Sequence, residues 1–200
     1  MTRPWKARVI RRRTILRSKF FHVVEEDVAL RGRRFPYQFR PFGNVAHIVA
    51  LTRRREAVLV RQYRHPVRRS LLELPAGKIE RGESALAGAK RELLEETGYA
   101  ARRWIALGRW YPSPASTNMK SCYFLALDAR RARRAAPEDT EFLRVELHPF
   151  RELLARVQRL PDSPVGLHLG ILLAGLRLGV LHAGHAIDEM VSMKTRSIPE

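Results

Sequence analysis

The residues of this chain best suited to chemistry fall between Gly77 and Tyr99: Gly77, Glu83, Arg91, Glu92, Glu95, Glu96 and Gly98. Glu92 and Glu96 are four apart, so on a helix they stack one turn above the other, with about 6 Å of rise. Like charges at that spacing cost a few tenths of a kcal/mol on a plain helix, so something positive is expected beside them. Carboxylate ligands without Cys or His favour Mg²⁺ or Mn²⁺ over Zn²⁺. Clamped on a diphosphate, such ions withdraw charge and lower the pKa of an attacking water. The ordinary alternative for a Glu-rich helix is a solvated face, and the flanking Gly turn with the full spacing weighs against it. Arg91 has two readings: it orients Glu92 and its neighbours by ion pairing, or it touches substrate.

These side chains need a helix and a turn to hold them. Leu71-Leu72-Glu73-Leu74-Pro75 is a short apolar stretch ending in Pro, so Gly77 is expected to open a tight turn leaving a strand. Ser84 is a good N-cap and Gly98 a common C′ residue, which predicts a helix between them. Leu86, Ala89 and Leu93 then share one stripe facing the core, with Glu96 on its flank. Before this unit, Arg8 to Leu16, Lys19 to Glu25, Tyr37 to Phe42, Val45 to Leu51 and Ala57 to Tyr63 read as strands. Leu30-Arg31-Gly32-Arg33 supplies a turn within this run. The continuous apolar start Ala57-Val58-Leu59-Val60 suits a central, buried strand. After the helix, Trp104 to Trp110 and Ser121 to Leu127 read as strands and Phe142 to Leu147 as an edge strand. Phe150 to Leu160 and Gly166 to Leu178 carry helical periodicity. A mixed sheet between helices, with an N-terminal antiparallel extension, follows from that order. His47 in its apolar strand reads as a core residue.

Composition bounds the rest. Two hundred residues with 45% hydrophobic content suit one domain with a small appendage and a sizeable core. The single cysteine, Cys122, excludes an intramolecular disulfide and fits a cytoplasmic location. No signal peptide is expected, and the longest apolar candidate, 165–180, is interrupted by His168 and Arg177, so no membrane span is expected. The net charge of +18 is carried mostly by Arg scattered over the whole chain, in runs such as Arg11-Arg12-Arg13 and Arg53-Arg54-Arg55. Solvated surface arginine accounts for that pattern more readily than nucleic acid does, because interleaved aromatics are lacking.

The string Gly77-x5-Glu83-x7-Arg91-Glu92-Leu93-Leu94-Glu95-Glu96-Thr97-Gly98-Tyr99 resembles, position by position, the signature of the Nudix hydrolases. Arg61-Gln62-Tyr63-Arg64, Glu73 to Glu80, and Tyr111-Pro112-Ser113-Pro114 are similar to the ADP-ribose pyrophosphatase branch. The resemblance implies an α/β fold: a Nudix-type α/β/α sandwich with a mixed sheet. In it, residues 1–44 form an N-terminal β extension, 45–182 the hydrolase domain and 183–200 a tail. It implies a homodimer built by exchanging N-terminal strands, and a small-molecule nucleotide as substrate. It implies metal ligation by the Ala76 carbonyl and by Glu92 and Glu96, with Glu95 as a further or bridging ligand. Glu95 and Glu96 then belong to the catalytic machinery, and Glu83, Arg91, Gly77 and Gly98 orient it. Arg64, Glu73 and Ser113 are expected on the substrate side, a solvated strand end being the alternative for Arg64. The general base is expected among the acids of the later loop, Asp139 or Glu141. One position departs from the branch: Met119 stands where an acidic residue is usual, which draws other nucleotide sugars such as GDP-mannose into consideration. A Nudix module that binds RNA or a nucleotide without cleaving it is the reading from another class.

Overall fold

The computed structural model describes residues 5–136, 142–160 and 162–181. Among them the chain divides into two compact units: residues up to Val45 with Arg109–Ser121, and Ala46–Gly108 with the chain from Cys122 onward.

In the first unit, β1 (Arg8–Arg17), β2 (His22–Leu30) and β3 (Arg33–Phe39) form a three-stranded antiparallel sheet in the order β1-β2-β3. The turn between β2 and β3 places Arg31 and Gly32 at positive φ, 51° and 77°, so the turn expected at 30–33 forms there. The two strands it joins are displaced from the expected 19–25 and 37–42. Local composition marked the turn, but pairing from Val24↔Phe39 to Leu30↔Arg33 set the strand limits. Glu25 is buried; Arg13 pairs with it, and Gln38 Nε2 donates to it at 2.7 Å. The Gln38 hydrogen bond, then that of Arg13, holds its carboxyl below the ordinary range. The segment 109–121 is tied to the same unit by backbone: Arg40 N donates to Ser116 O and Val45 N to Lys120 O, both 2.9 Å.

The second unit holds the larger sheet. Its strands are β4 (Val45–Thr52), β5 (Glu56–Arg64), β6 (Arg69–Glu73), β7 (Ala76–Lys78), β8 (Tyr99–Ala100), β9 (Arg103–Trp110), β10 (Ser121–Arg131) and β11 (Leu143–Pro149). The order along the sheet is β11-β5-β4-β10-β8, with β6 on β5, β7 on β4 and β9 on β10. Ala57 to Val60 in β5 are at most 1% exposed, as a strand flanked on both sides requires. The helices are α1 (Ala85–Thr97), α2 (Phe150–Arg156) and α3 (Val165–Arg177). One face of the sheet packs Ile48, Val58 and Phe124 with Ala89 and Leu93 of α1. The other packs Val49, Leu59 and Leu125 with Leu153, Leu167 and Ile171 of α2 and α3. This is the α/β/α sandwich. Leu86, expected on the buried stripe, is 36% exposed. The packed stripe runs instead through Gly88, Ala89, Leu93 and Glu96, because Leu86 sits in the first turn, at the margin of the contact. None of the described helices is long and apolar enough to cross a membrane.

Candidate active site

Helix α1 is bounded as its sequence dictates. Ser84 Oγ accepts the Ala87 amide at 3.1 Å, capping the first turn. Gly98 takes φ 73° at the other end, and a Cβ there would run into the Arg133 carbonyl. That carbonyl belongs to a segment anchored on the helix terminus, for Ala132 N donates to Gly98 O at 2.8 Å and Ala136 N to Glu95 O at 2.8 Å.

The turn facing the helix is held from both sides. Ile48 N in β4 donates to Pro75 O at 2.9 Å, while Ala76 N donates to Glu96 Oε2 at 2.9 Å. Glu96 is only 3% exposed, so this charge-assisted bond is made in a nearly dry setting. Gly77 lies inside the short strand β7 and has no positive φ. Its requirement is therefore not the tight turn expected from sequence but close approach: a Cβ there would fall on the Glu92 carboxylate.

Arg91 knits the remaining acids together. Its Nη1 donates to Glu92 Oε1 at 2.8 Å and to Glu95 Oε2 at 3.0 Å; Nε and Nη2 donate to Glu83 at 3.2 and 3.1 Å. Nη2 also reaches the Lys78 carbonyl at 2.8 Å. Of the two readings of Arg91, ion pairing is thus the contact present. Glu83 in turn accepts the Glu80 amide at 3.0 Å, fixing the loop before the helix. The Arg91 guanidinium, then this amide, holds the Glu83 carboxyl below the usual range, and the same acids push Arg91 further up. Around one guanidinium, the structure therefore gathers Gly77, Glu83, Glu92 and Glu95, with Ala76 and Glu96 bonded alongside. The donor set is entirely oxygen. No three His, Cys, Asp or Glu side chains among the described residues are grouped as a ready-made metal cage.

Arg64 at the end of β5 makes a two-pronged pair with Glu73 of β6, at 2.8 and 2.6 Å. Ser113 lies in the other unit, where its Oγ is 2.7 Å from Ser116 Oγ, and Met119 is half-buried there. Asp139, Glu141 and the tail 183–200 lie outside the described residues. Three contacts of the site escape sequence reasoning: the Lys78 carbonyl, the Glu80 amide and the Ile48 amide. All are backbone groups, which no residue type announces. The pairing of Arg61 with Glu146 escapes sequence reasoning too: their side chains join across β5 and β11 at 2.7 and 3.1 Å, and Arg61 first, then His148, holds the Glu146 carboxyl pKa down to about 2. Only their cross-strand register, Arg61↔Arg144 and Val60↔Val145, brings them together.

A capped helix carrying acids against a glycine-containing turn, within an α/β/α sandwich, defines a class of protein, and comparison with known proteins agrees. The NUDIX domain profile matches residues 41–166. The chain is 33% identical over 141 residues to an ADP-ribose pyrophosphatase of Bacillus subtilis, covering 69% of this chain and 76% of that protein. It is 28% identical over 142 residues to a methanol dehydrogenase activator of Bacillus methanolicus, covering 70% and 77%. A solved structure titled as that of an ADP compounds hydrolase superposes with a TM-score of 0.79 at 23% identity, covering 90% of this chain and 98% of that one. The chain belongs to the Nudix hydrolase family.

Proposed function

We propose that the protein hydrolyses the diphosphate of a nucleoside diphosphate sugar, with ADP-ribose the leading substrate and AMP and ribose 5-phosphate the products. The observation that carries this reading is the placement of the Glu92 and Glu96 carboxylates against the Ala76–Gly77 backbone. That space suits a hard cation: its donors are all oxygen, and glycine leaves it open where any other residue would fill it. The Ala76 carbonyl, Glu92 and Glu96, with Glu95 beside them, would hold Mg²⁺ or Mn²⁺. Bound there, the metal would supply Lewis acidity toward the diphosphate and the attacking water. The chain's own groups do the rest. Arg91 fixes Glu92 and Glu95 in place, and Glu83 secures the loop. The Arg64 fork, paired with Glu73, is suited to phosphate recognition at the end of β5. A water oxygen bonds to one phosphorus as the bridging P–O bond breaks, and the water proton passes to an acid assigned to Asp139 or Glu141. The relatives named as ADP-ribose pyrophosphatases support the substrate. Met119 favours a second reading, in which GDP-mannose or another nucleotide sugar is preferred.

A Mg²⁺-dependent panel of ADP-ribose, GDP-mannose, UDP-glucose and NADH, scored by both products, tests the proposal. AMP with ribose 5-phosphate as the fastest product pair is expected. Turnover of none of the four, with Mn²⁺ binding intact by calorimetry, would point to a binding module instead.

A further inference from the structure

At the end of the sheet that carries the β4–β5 turn, the second unit has a cleft of about 660 Å³. Five arginines line it: Arg53 and Arg54 from that turn, Arg102 from the β8–β9 connection, Arg103 at the start of β9, and Arg130 from β10. Two carboxylates line it as well, and both are engaged. Glu56 Oε2 accepts from Thr52 Oγ1 at 3.1 Å, and Asp128 lies 4.0 Å from Arg103. The guanidiniums of Arg53, Arg54, Arg102 and Arg130 have no hydrogen-bond or ion-pair partner among the described residues. Guanidiniums converging from three separate chain segments repel one another, and a cleft between low-dielectric walls focuses that field. No catalytic or metal-binding candidate lines it. Along β4, Thr52 in the cleft lies four residue steps beyond Ile48, which bonds the signature turn, about 13 Å of strand.

A second cavity of about 380 Å³ adjoins the first, sharing Thr52, Arg53, Arg103 and Asp128. Beyond these it is lined by the apolar Leu51, Leu127, Phe150, Leu178 and Val180 and by Arg55 and Arg151. The geometry points to a second ligand site, separate from the hydrolytic centre, that takes the polyphosphate group of a small phosphorylated molecule. Arginine forks match phosphate oxygens two at a time, and both volumes lie within the range of small-molecule pockets. The neighbouring cavity, apolar in part, would receive the body of a nucleotide. The site goes beyond the proposed hydrolysis and does not rest on it.

Calorimetric titration of the full chain with inorganic tripolyphosphate, in EDTA at 0.15 M salt, tests this. One molecule bound per chain is expected, with Glu96→Gln binding as the wild type does. The combined change Arg54→Ser, Arg102→Ser, Arg130→Ser should weaken binding tenfold or more without shifting the melting temperature by more than a few degrees. Removing equal charge from β1, by Arg8→Ser, Arg11→Ser and Arg17→Ser, should weaken it less than twofold. Equal losses in the two triple variants would show a diffuse field and overturn the site, as would loss of binding in Glu96→Gln. ATP in place of tripolyphosphate identifies the source: tighter binding marks a nucleotide, equal binding inorganic polyphosphate, and both sustain the site. Affinity for single-stranded RNA that climbs with length and exceeds that for ATP would replace it with a nucleic-acid surface.

Discussion

Around Arg91, one guanidinium serves three glutamates and a carbonyl, while Glu96 beside them bonds a backbone amide. Around the β4–β5 turn of the same unit, five guanidiniums face two carboxylates that are already engaged. Both clusters carry excess charge, of opposite sign, but hydrogen bonds tie the first into one geometry while most guanidiniums of the second are untied. Preorganised acids suit chemistry, where ligands must stand in place before the substrate arrives. Unbalanced arginines suit capture, where the arriving anion completes the balance. The contrast makes opposite predictions for substitutions in the two places.

The largest effect is expected at Glu96. Replacing it by Gln keeps the shape and an acceptor for the Ala76 amide but removes the charge, and turnover should fall about a thousandfold. The measurement is kcat with Mg²⁺ on the best substrate of the panel, with the melting curve as the fold control. Activity within tenfold of wild type would remove Glu96 from the proposed ligand set. Next comes Gly77→Ala. Its Cβ would land on the Glu92 carboxylate, and a displacement of about 1 Å in a catalytic group can cost a hundredfold. The loss should appear in kcat rather than KM, and a variant with unchanged kcat would show that Glu92 can move without consequence.

Arg91→Gln should act on stability as well as rate. It leaves Glu83, Glu92 and Glu95 close together without their cation, although Arg91 is 26% and Glu95 40% exposed at the side chain. Solvent screening reduces what a fully buried pair would lose, so a cost of about 2 kcal/mol by urea unfolding is expected. The pH dependence has a definite sign. Because Arg91 holds Glu83 below its ordinary value, the stabilisation is complete above about pH 4.5 and is lost as pH falls through the lower folded value. The gap between wild type and variant should therefore narrow in acid. A gap unchanged at pH 3 would mean that Arg91 contributes through packing alone.

How much of this was legible in sequence depended on the range of the determining contact. The limits of α1 were local, set by the Ser84 cap and by Gly98, and they stand where the residue types put them. The buried core of β5 was equally local in its apolar run. Strand β6 was legible in the apolar stretch that ends at Pro75, but β7 and β8 were not, since two or three residues acquire strand character only from partners far along the chain. β10 likewise extends to Arg131, beyond the expected Leu127, because Arg130 and Arg131 pair with Ala100 and Tyr99. Among the site residues, identity was legible but reason was not always so. Gly77 was marked by the spacing, yet what it avoids is a carboxylate fifteen residues later. The arginine cleft had no sequence signal at all: Arg53-Arg54-Arg55 looks like any other basic run until Arg102, Arg103 and Arg130 close around it.

The smallest predicted effect separates the two regions most cleanly. Arg102→Ser alone removes one exposed guanidinium from the cleft, where it has no partner among the described residues to lose. Relief of repulsion is then the main consequence, so unfolding free energy should stay the same or rise by a few tenths of a kcal/mol. At Arg91, loss of a single guanidinium should do the reverse. Raising salt discriminates further. Exposed charges within a Debye length of one another are screened, so any gain from Arg102→Ser should shrink between 0.02 and 0.5 M salt, screening lengths of roughly 20 and 4 Å. The deficit of Arg91→Gln should persist, because its partly buried hydrogen bonds are screened far less. If Arg102→Ser instead destabilised the chain by more than about 1 kcal/mol, its guanidinium would be part of the folded framework, and the cleft would be tied together as the Arg91 cluster is.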